Sequence, residues 1–253
     1  MRMPLLVALA ALSLIVAACG GNGGQQQDQA LEFDVSNFLV NPGATENGLI
    51  DIGGTTVEYA LTIPEGFSLG DTAPVLLAFP PGDQSIDTTR NTVDTVYAQE
   101  ALRLGWVVVS PAAPGGELFF SGGEEVLPGF VDWIEAWVTP EGGAPHVAGM
   151  SNGGLSSFKY AAENPTRVQS LVTFPGFAGS DDDREAVAQL VDAPIRIYVG
   201  GTDTQWLDNA NTTLVALLAG GRNVQLQSFP GEGHIIASTY DGTFIFEQLE
   251  SFR

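Results

Sequence analysis

Pro145-His146-Val147-Ala148-Gly149-Met150-Ser151-Asn152-Gly153-Gly154 is the stretch on which the reading of this chain turns. A short apolar strand runs into Gly-x-Ser-x-Gly, and a helix-forming segment opens at Leu155. Strand, sharp turn and helix in that order hold a serine hydroxyl at the tip of the turn. The turn leaves space only for small residues beside the serine, and Gly149 and Gly153 supply them. The helix N-terminus favours negative charge there. The backbone N–H of Asn152 adds a donor, so Ser151 is the candidate nucleophile.

Gly66-Phe67-Ser68-Leu69-Gly70 fits the same five-residue pattern. With 31 glycines in 253 residues such repeats arise by accident. Context separates the two. Ser68 lies between Ile63-Pro64-Glu65 and Asp71-Thr72-Ala73-Pro74, with no helix behind it.

Outward from Ser151 the chain alternates strands with helices. Thr56 to Ile63 alternates apolar and polar residues, as a strand does. Pro74 to Phe79, Trp106 to Val109, Gln169 to Phe174 and Pro194 to Val199 are short apolar runs, the signature of strands buried on both faces. Val224 to Phe229 is the last strand. Helices are predicted over Thr92–Leu104, Val126–Val138, Leu155–Glu163, Asp183–Val191, Thr212–Ala219 and Phe244–Phe252. Leu31 to Gly54 reads as an edge strand and loops, with turns at Asn41-Pro42-Gly43 and Asn47-Gly48. The fold class is α/β: a mostly parallel central sheet with helices on both faces.

The strand–turn–helix around Ser151 resembles the nucleophile elbow of α/β-hydrolases, whose partners follow in the order serine, acid, histidine. The chain has two histidines. His146 precedes Ser151 in its own strand and cannot fold back onto it, so it is read as structural. His234 sits in Pro230-Gly231-Glu232-Gly233-His234, a loop after the last strand, where a general base belongs. Asp203, ending Val199-Gly200-Gly201-Thr202-Asp203, leaves the carboxyl end of the preceding strand, where open α/β sheets gather function. A carboxylate there would hold the histidine's tautomer. Asp208 is the other candidate. An oxyanion hole needs two N–H donors. Asn152 offers one. Pro80 and Pro81 have no N–H, which leaves Asp83 or Gly82 for the other. Phe119, Phe120 and Trp206 are candidate pocket walls. Asp181-Asp182-Asp183 suits a helix N-terminus better than a metal site, and no metal or organic cofactor is expected.

Gly149-Met150-Ser151-Asn152-Gly153-Gly154, the Pro-Gly after the strand ending at Phe79, the Gly-Gly-Thr-Asp ending at Asp203, and Gly233-His234 together resemble one family. It is the esterase family of α/β-hydrolases that includes polyhydroxybutyrate depolymerases, feruloyl esterases and acetylxylan esterases. The resemblance runs from about Thr56 to the C-terminus. It implies Ser151 as nucleophile, Asp203 as acid, His234 as base, and Asn152 and Asp83 as oxyanion donors. It also implies an acyl-enzyme route to hydrolysis of a small-molecule or polymeric ester. The family has His-Gly after its third strand, where this chain has Pro81-Gly82. Its disulfides cannot form here, because Cys19 is the sole cysteine.

A net charge of −21, from 30 acidic and 9 basic residues, argues against nucleic acid and anionic membrane surfaces as partners. It fits an acidic exported protein, here expected to be a monomer. Met1-Arg2-Met3, the apolar Leu5–Val16 run and Val16-Ala17-Ala18-Cys19 resemble a bacterial lipoprotein signal, with Cys19 the lipidated residue. The run is too short to span a bilayer comfortably. Residues 1–18 are then the signal, 19–30 the lipidated cysteine and a flexible polar tether, and 31–253 a single α/β-hydrolase domain tied to the cell envelope by lipid. Two other functions remain in view: a peptidase or thioesterase on the same fold, and a non-catalytic surface-binding lipoprotein with a decayed site.

Overall fold

The computed structural model describes residues 33, 41–190 and 192–253. The expected leader, Cys19, the tether and most of the Leu31–Val35 alternation lie outside the described residues. Among the described residues no helix is long and apolar enough to cross a membrane.

The first strands, β1 (Ala44–Ile52) and β2 (Thr55–Ile63), form an antiparallel hairpin turned at Gly53-Gly54. Asn47-Gly48, expected as a turn, instead lies in the middle of β1. Gly48 faces Tyr59, and a Cβ there would come within 2.2 Å of the Tyr59 hydroxyl. The glycine is a site of close ring approach, which a strand tolerates as readily as a turn does.

β3 (Thr72–Ala73) and β6 (Thr139–Pro140) form a small separate parallel ladder. β4 (Val75–Phe79), β5 (Val107–Pro111), β7 (His146–Gly149), β8 (Ser170–Thr173), β9 (Ile195–Gly200) and β10 (Val224–Phe229) complete the main sheet. Its order is β1-β2-β5-β4-β7-β8-β9-β10, parallel from β5 through β10 and antiparallel at the β1–β2–β5 edge.

Alternation along the strands splits the interior in two. Leu77, Phe79, Val109, Val147, Leu171 and Ile197 join α3 (Leu127–Trp137), α4 (Asn152–Glu163), α5 (Asp181–Val187) and α6 (Thr204–Ala219). Leu76, Ala78, Val108, Ala148 and Val172 face α1 (Ile86–Thr92), α2 (Ala98–Leu104) and α7 (Thr243–Glu250), together with a π-helical turn at Val93–Tyr97. The helices therefore cover both faces, as the buried strand runs require.

Several helices begin earlier than their apolar periodicity indicates. α1 opens at Ile86, capped by Ser85, and α5 at Asp181, capped by Ser180. α4 opens at Asn152 and α6 at Thr204. Polar residues or glycines dilute the apolar pattern at each start, as in Asp87-Thr88-Thr89, Asn152-Gly153-Gly154, Asp181-Asp182-Asp183 and Thr204-Gln205, which hides it from a periodicity reading.

His146 is buried in β7 with Nδ1 2.7 Å from the Ser170 hydroxyl and its ring centroid 4.9 Å from that of Trp106. Burial, aided by the Arg253 charge, pulls its pKa down to about 4. The unfolded chain then binds a proton more readily than the folded one as pH falls below about 6.5. Stability is present above that pH and is lost on the way down to about 4. Urea unfolding at a series of pH values should show wild type losing about 3 kcal/mol more than His146→Gln between pH 7 and pH 4. Equal losses would refute the assignment.

Candidate active site

The sheet reverses its winding where β4 lies between β5 and β7. In open α/β sheets, the crevice beyond the carboxyl ends of the strands at that point is where ligands bind. Two segments leave those ends. Pro80–Gln84 follows β4, and Ser151 follows β7.

Ser151 has φ 57° and ψ −120°, a conformation that L-residues rarely adopt. The surroundings enforce it. Ser151 N–H donates to the Pro175 carbonyl at 2.9 Å. A Cβ on Gly149 would come within 2.1 Å of the Gly153 carbonyl oxygen, and one on Gly153 within 2.1 Å of that of Phe79. β7, α4 and the end of β4 are thus in backbone contact around the serine. Strain held in this way collects at functional sites. Ser68, the other Gly-x-Ser-x-Gly serine, sits in a turn, its N–H donating to the Asp71 carboxylate at 2.8 Å.

Ser151 Oγ lies 2.7 Å from His234 Nε2, and His234 Nδ1 lies 2.6 Å from Asp203 Oδ2. The carboxylate and the imidazole reach each other because two turns of chain touch. A Cβ on Gly200 would come within 1.9 Å of the Gly233 carbonyl oxygen. Thr202 donates to the Glu232 carbonyl through both its N–H, at 2.9 Å, and its hydroxyl, at 2.8 Å. Asp203 occupies the N-cap position of α6 but makes no side-chain cap bond; its carboxylate is directed to His234. Asp208, the other candidate acid, is exposed on α6.

Asn152, the first residue of α4, has an N–H with no carbonyl inside the helix to bond. Its side-chain amide donates to the Gly82 carbonyl at 2.7 Å. The Asp83 carboxylate turns to the start of α1, where it accepts from Ser85 N–H, the Ser85 hydroxyl and the Thr88 hydroxyl at 3.0, 2.9 and 2.8 Å. Those bonds hold its pKa below the ordinary carboxylate value.

A cavity of about 200 Å³ opens on Ser151 and His234. Its apolar walls include Pro81, Met150, Phe174, Ile235, Ile236 and Tyr240. The expected aromatic walls are elsewhere. Phe119 is buried against Phe79. Phe120 lines a second cavity of about 300 Å³ with Leu155, Lys159 and Phe177. Trp206 packs edge-on against the His234 ring, with centroids 4.7 Å apart, and supports the imidazole. None of the six apolar walls is among those expected from the sequence; for Ile235 and Ile236, adjacency to the candidate base is the available signal. Among the described residues no cluster of three or more metal-ligating side chains occurs.

Residues 117–247, just over half of the chain, match the dienelactone hydrolase family. The chain belongs to the dienelactone hydrolase family. The matched span holds Ser151, Asp203 and His234 and begins beyond Pro80–Gln84. The α/β-hydrolase fold has close counterparts among solved structures. A thermostable esterase is 16% identical over 82% of this chain and 62% of its own, with a TM-score of 0.62. A dienelactone hydrolase from Anabaena variabilis ATCC 29413 is 18% identical over 83% of this chain and 96% of its own, with a TM-score of 0.56. A ferulic acid esterase is 14% identical over 83% and 96%, with a TM-score of 0.58. The chain therefore spans less than two thirds of the thermostable esterase. No curated protein sequence matches it. This member of the dienelactone hydrolase family carries a serine, an imidazole and a carboxylate in one hydrogen-bonded line, an arrangement that can draw a proton from the serine hydroxyl.

Proposed function

We propose that the chain is a serine esterase acting on carboxylic esters with a short apolar group. The observation that carries this reading is the unbroken line Ser151 Oγ–His234–Asp203, with bonds of 2.7 and 2.6 Å. His234 Nε2 takes the Ser151 proton as Oγ attacks the ester carbonyl. Asp203 holds the other ring nitrogen and stabilises the imidazolium. The Asn152 N–H faces the developing oxyanion, with a second donor from Gly82-Asp83. Collapse expels the alcohol, which takes its proton from His234, and water then resolves the acyl-enzyme by the same route. The chain's own residues supply every proton transfer.

The cavity supports the substrate class. About 200 Å³ with apolar walls is below the range of about 300–1,000 Å³ for drug-sized ligands, so a short acyl group fits. The Gly-Met-Ser-Asn-Gly-Gly hexapeptide supports the narrower likeness to polyhydroxybutyrate depolymerases and feruloyl esterases. Val16-Ala17-Ala18-Cys19 supports attachment to the cell envelope by lipid on Cys19.

The test combines a fluorophosphonate with an acyl panel. A folded preparation should form an adduct that peptide mapping places on Ser151. p-Nitrophenyl esters should be hydrolysed fastest at short chain lengths, and faster than the matching anilide or thioester. No adduct in folded protein would sink the esterase reading, and a preference for long acyl chains would sink the substrate class.

A further inference from the structure

Gln84 is buried completely, yet it is polar and has φ 54°. Among the described residues it shares a positive φ with only one other non-glycine, Ser151. Strain of this kind persists only where the surroundings over-determine it. Gln84 shows how. Its Nε2 donates to the Pro80 carbonyl at 3.1 Å and to the Ser156 hydroxyl at 2.8 Å. Its Oε1 accepts from Phe119 N–H at 3.0 Å. Its own N–H donates to the Pro81 carbonyl at 3.2 Å, and its carbonyl accepts from Ala113 N–H at 2.8 Å.

These bonds close a ring. From Gln84 Nε2 it passes to Ser156 Oγ, which donates to the Asn152 carbonyl at 3.0 Å. The Asn152 side chain donates to the Gly82 carbonyl at 2.7 Å, and Gly82-Asp83-Gln84 returns along the chain. One side of the ring is Asn152, which on the esterase reading would offer the first oxyanion donor. The other is the Gly82-Asp83 loop, which would offer the second. Pro80 and Pro81 cannot anchor this loop through N–H groups of their own. The Gln84 side chain ties it to α4 instead.

We propose that Gln84 is a positioning residue that holds the Gly82–Asp83 peptide in register with the Asn152 N–H, so that both donors meet the same oxyanion. This rests on the esterase reading above. Gln84 touches no substrate; it acts through the loop. A donor displaced by about 1 Å costs on the order of 100-fold in rate, and a lost oxyanion donor about 100- to 1,000-fold. The donors act on the transition state, so ground-state binding is spared.

The experiment compares wild type with Gln84→Met, which keeps the side-chain length and removes all three side-chain bonds. Turnover of a short p-nitrophenyl ester should fall about 10- to 100-fold in kcat, with KM within about twofold. The affinity for phenylboronic acid should fall by a similar factor. Its boron accepts the Ser151 Oγ lone pair while His234 takes the proton, which gives a tetrahedral anion in the oxyanion hole. A role in folding alone would shift the melting temperature and leave this split unmoved. An unchanged kcat below the melting range, a change in KM alone, or a kcat loss with intact boronate affinity would overturn the proposal while leaving the esterase reading standing. Wild type inert towards both ester and boronate would remove that reading, and this inference with it. If Gln84→Met does not fold, Ser156→Ala opens the same ring at the two bonds of the Ser156 hydroxyl, leaves the Gln84 bonds to Pro80 and Phe119 in place, and should show the same split at smaller size.

Discussion

Ser151→Ala is expected to lower ester turnover by at least about 10⁴-fold, with the fold intact. The reasoning is local. The Ser151 Oγ lies 2.7 Å from His234 Nε2. Alanine removes that bond and the attacking oxygen, and keeps the backbone bond from residue 151 to the Pro175 carbonyl. The strained turn is maintained by Gly149 and Gly153, which the substitution does not touch. The thermal midpoint should therefore stay close to that of wild type, and the fluorophosphonate adduct should vanish. A variant that kept a tenth or more of the wild-type rate would place the nucleophile elsewhere.

Asp203→Asn is expected to cost about 10³- to 10⁴-fold in kcat. An amide can offer its NH₂ to His234 Nδ1 where the carboxylate accepted, which favours the tautomer with its proton on the wrong nitrogen. It also withdraws the charge that stabilises the imidazolium. The effect should be confined to catalysis. Asp203 is the N-cap residue of α6 without a cap bond from its side chain, and asparagine caps helices as well as aspartate does. Matched melting curves and a collapsed kcat are the expected pair. Near-normal turnover in Asp203→Asn, alongside a collapse in Asp208→Asn, would move the acid to α6.

The same residue illustrates what the amino-acid order makes legible. Asp203 is legible as a candidate acid because it follows Pro194–Val199, a largely apolar run that reads as a buried strand. It also holds the N-cap position of a helix whose start the residue pattern does not show. The first turns of α6, Thr204-Gln205-Trp206-Leu207-Asp208-Asn209, are mostly polar, so hydrophobic periodicity rises above the background only near Thr212. The sheet was legible from its apolar runs, because strands covered on both faces leave no polar alternation to confuse them. Asn47-Gly48 reads as a turn in isolation because the feature that uses Gly48, the Tyr59 ring on the neighbouring strand, is a contact between strands. The pocket walls were misread for a related reason. Phe119 and Phe120 are large and lie in a loop, but the ring of Phe119 points into the core against Phe79. Which way a loop side chain points depends on what it packs against, and that is not written in its neighbours.

The segment from His234 to Tyr240 both carries the imidazole and forms one side of the cavity beside Ser151. Chemistry and selectivity are therefore linked through a single piece of backbone. An insertion or deletion there, the usual way for loops to diverge, would enlarge or shrink the cavity only by dragging the imidazole off Ser151. Diversification of acyl preference in this lineage should then proceed by point exchange at Tyr240, Ile236 or Met150, with the length of that segment held constant while other surface loops drift.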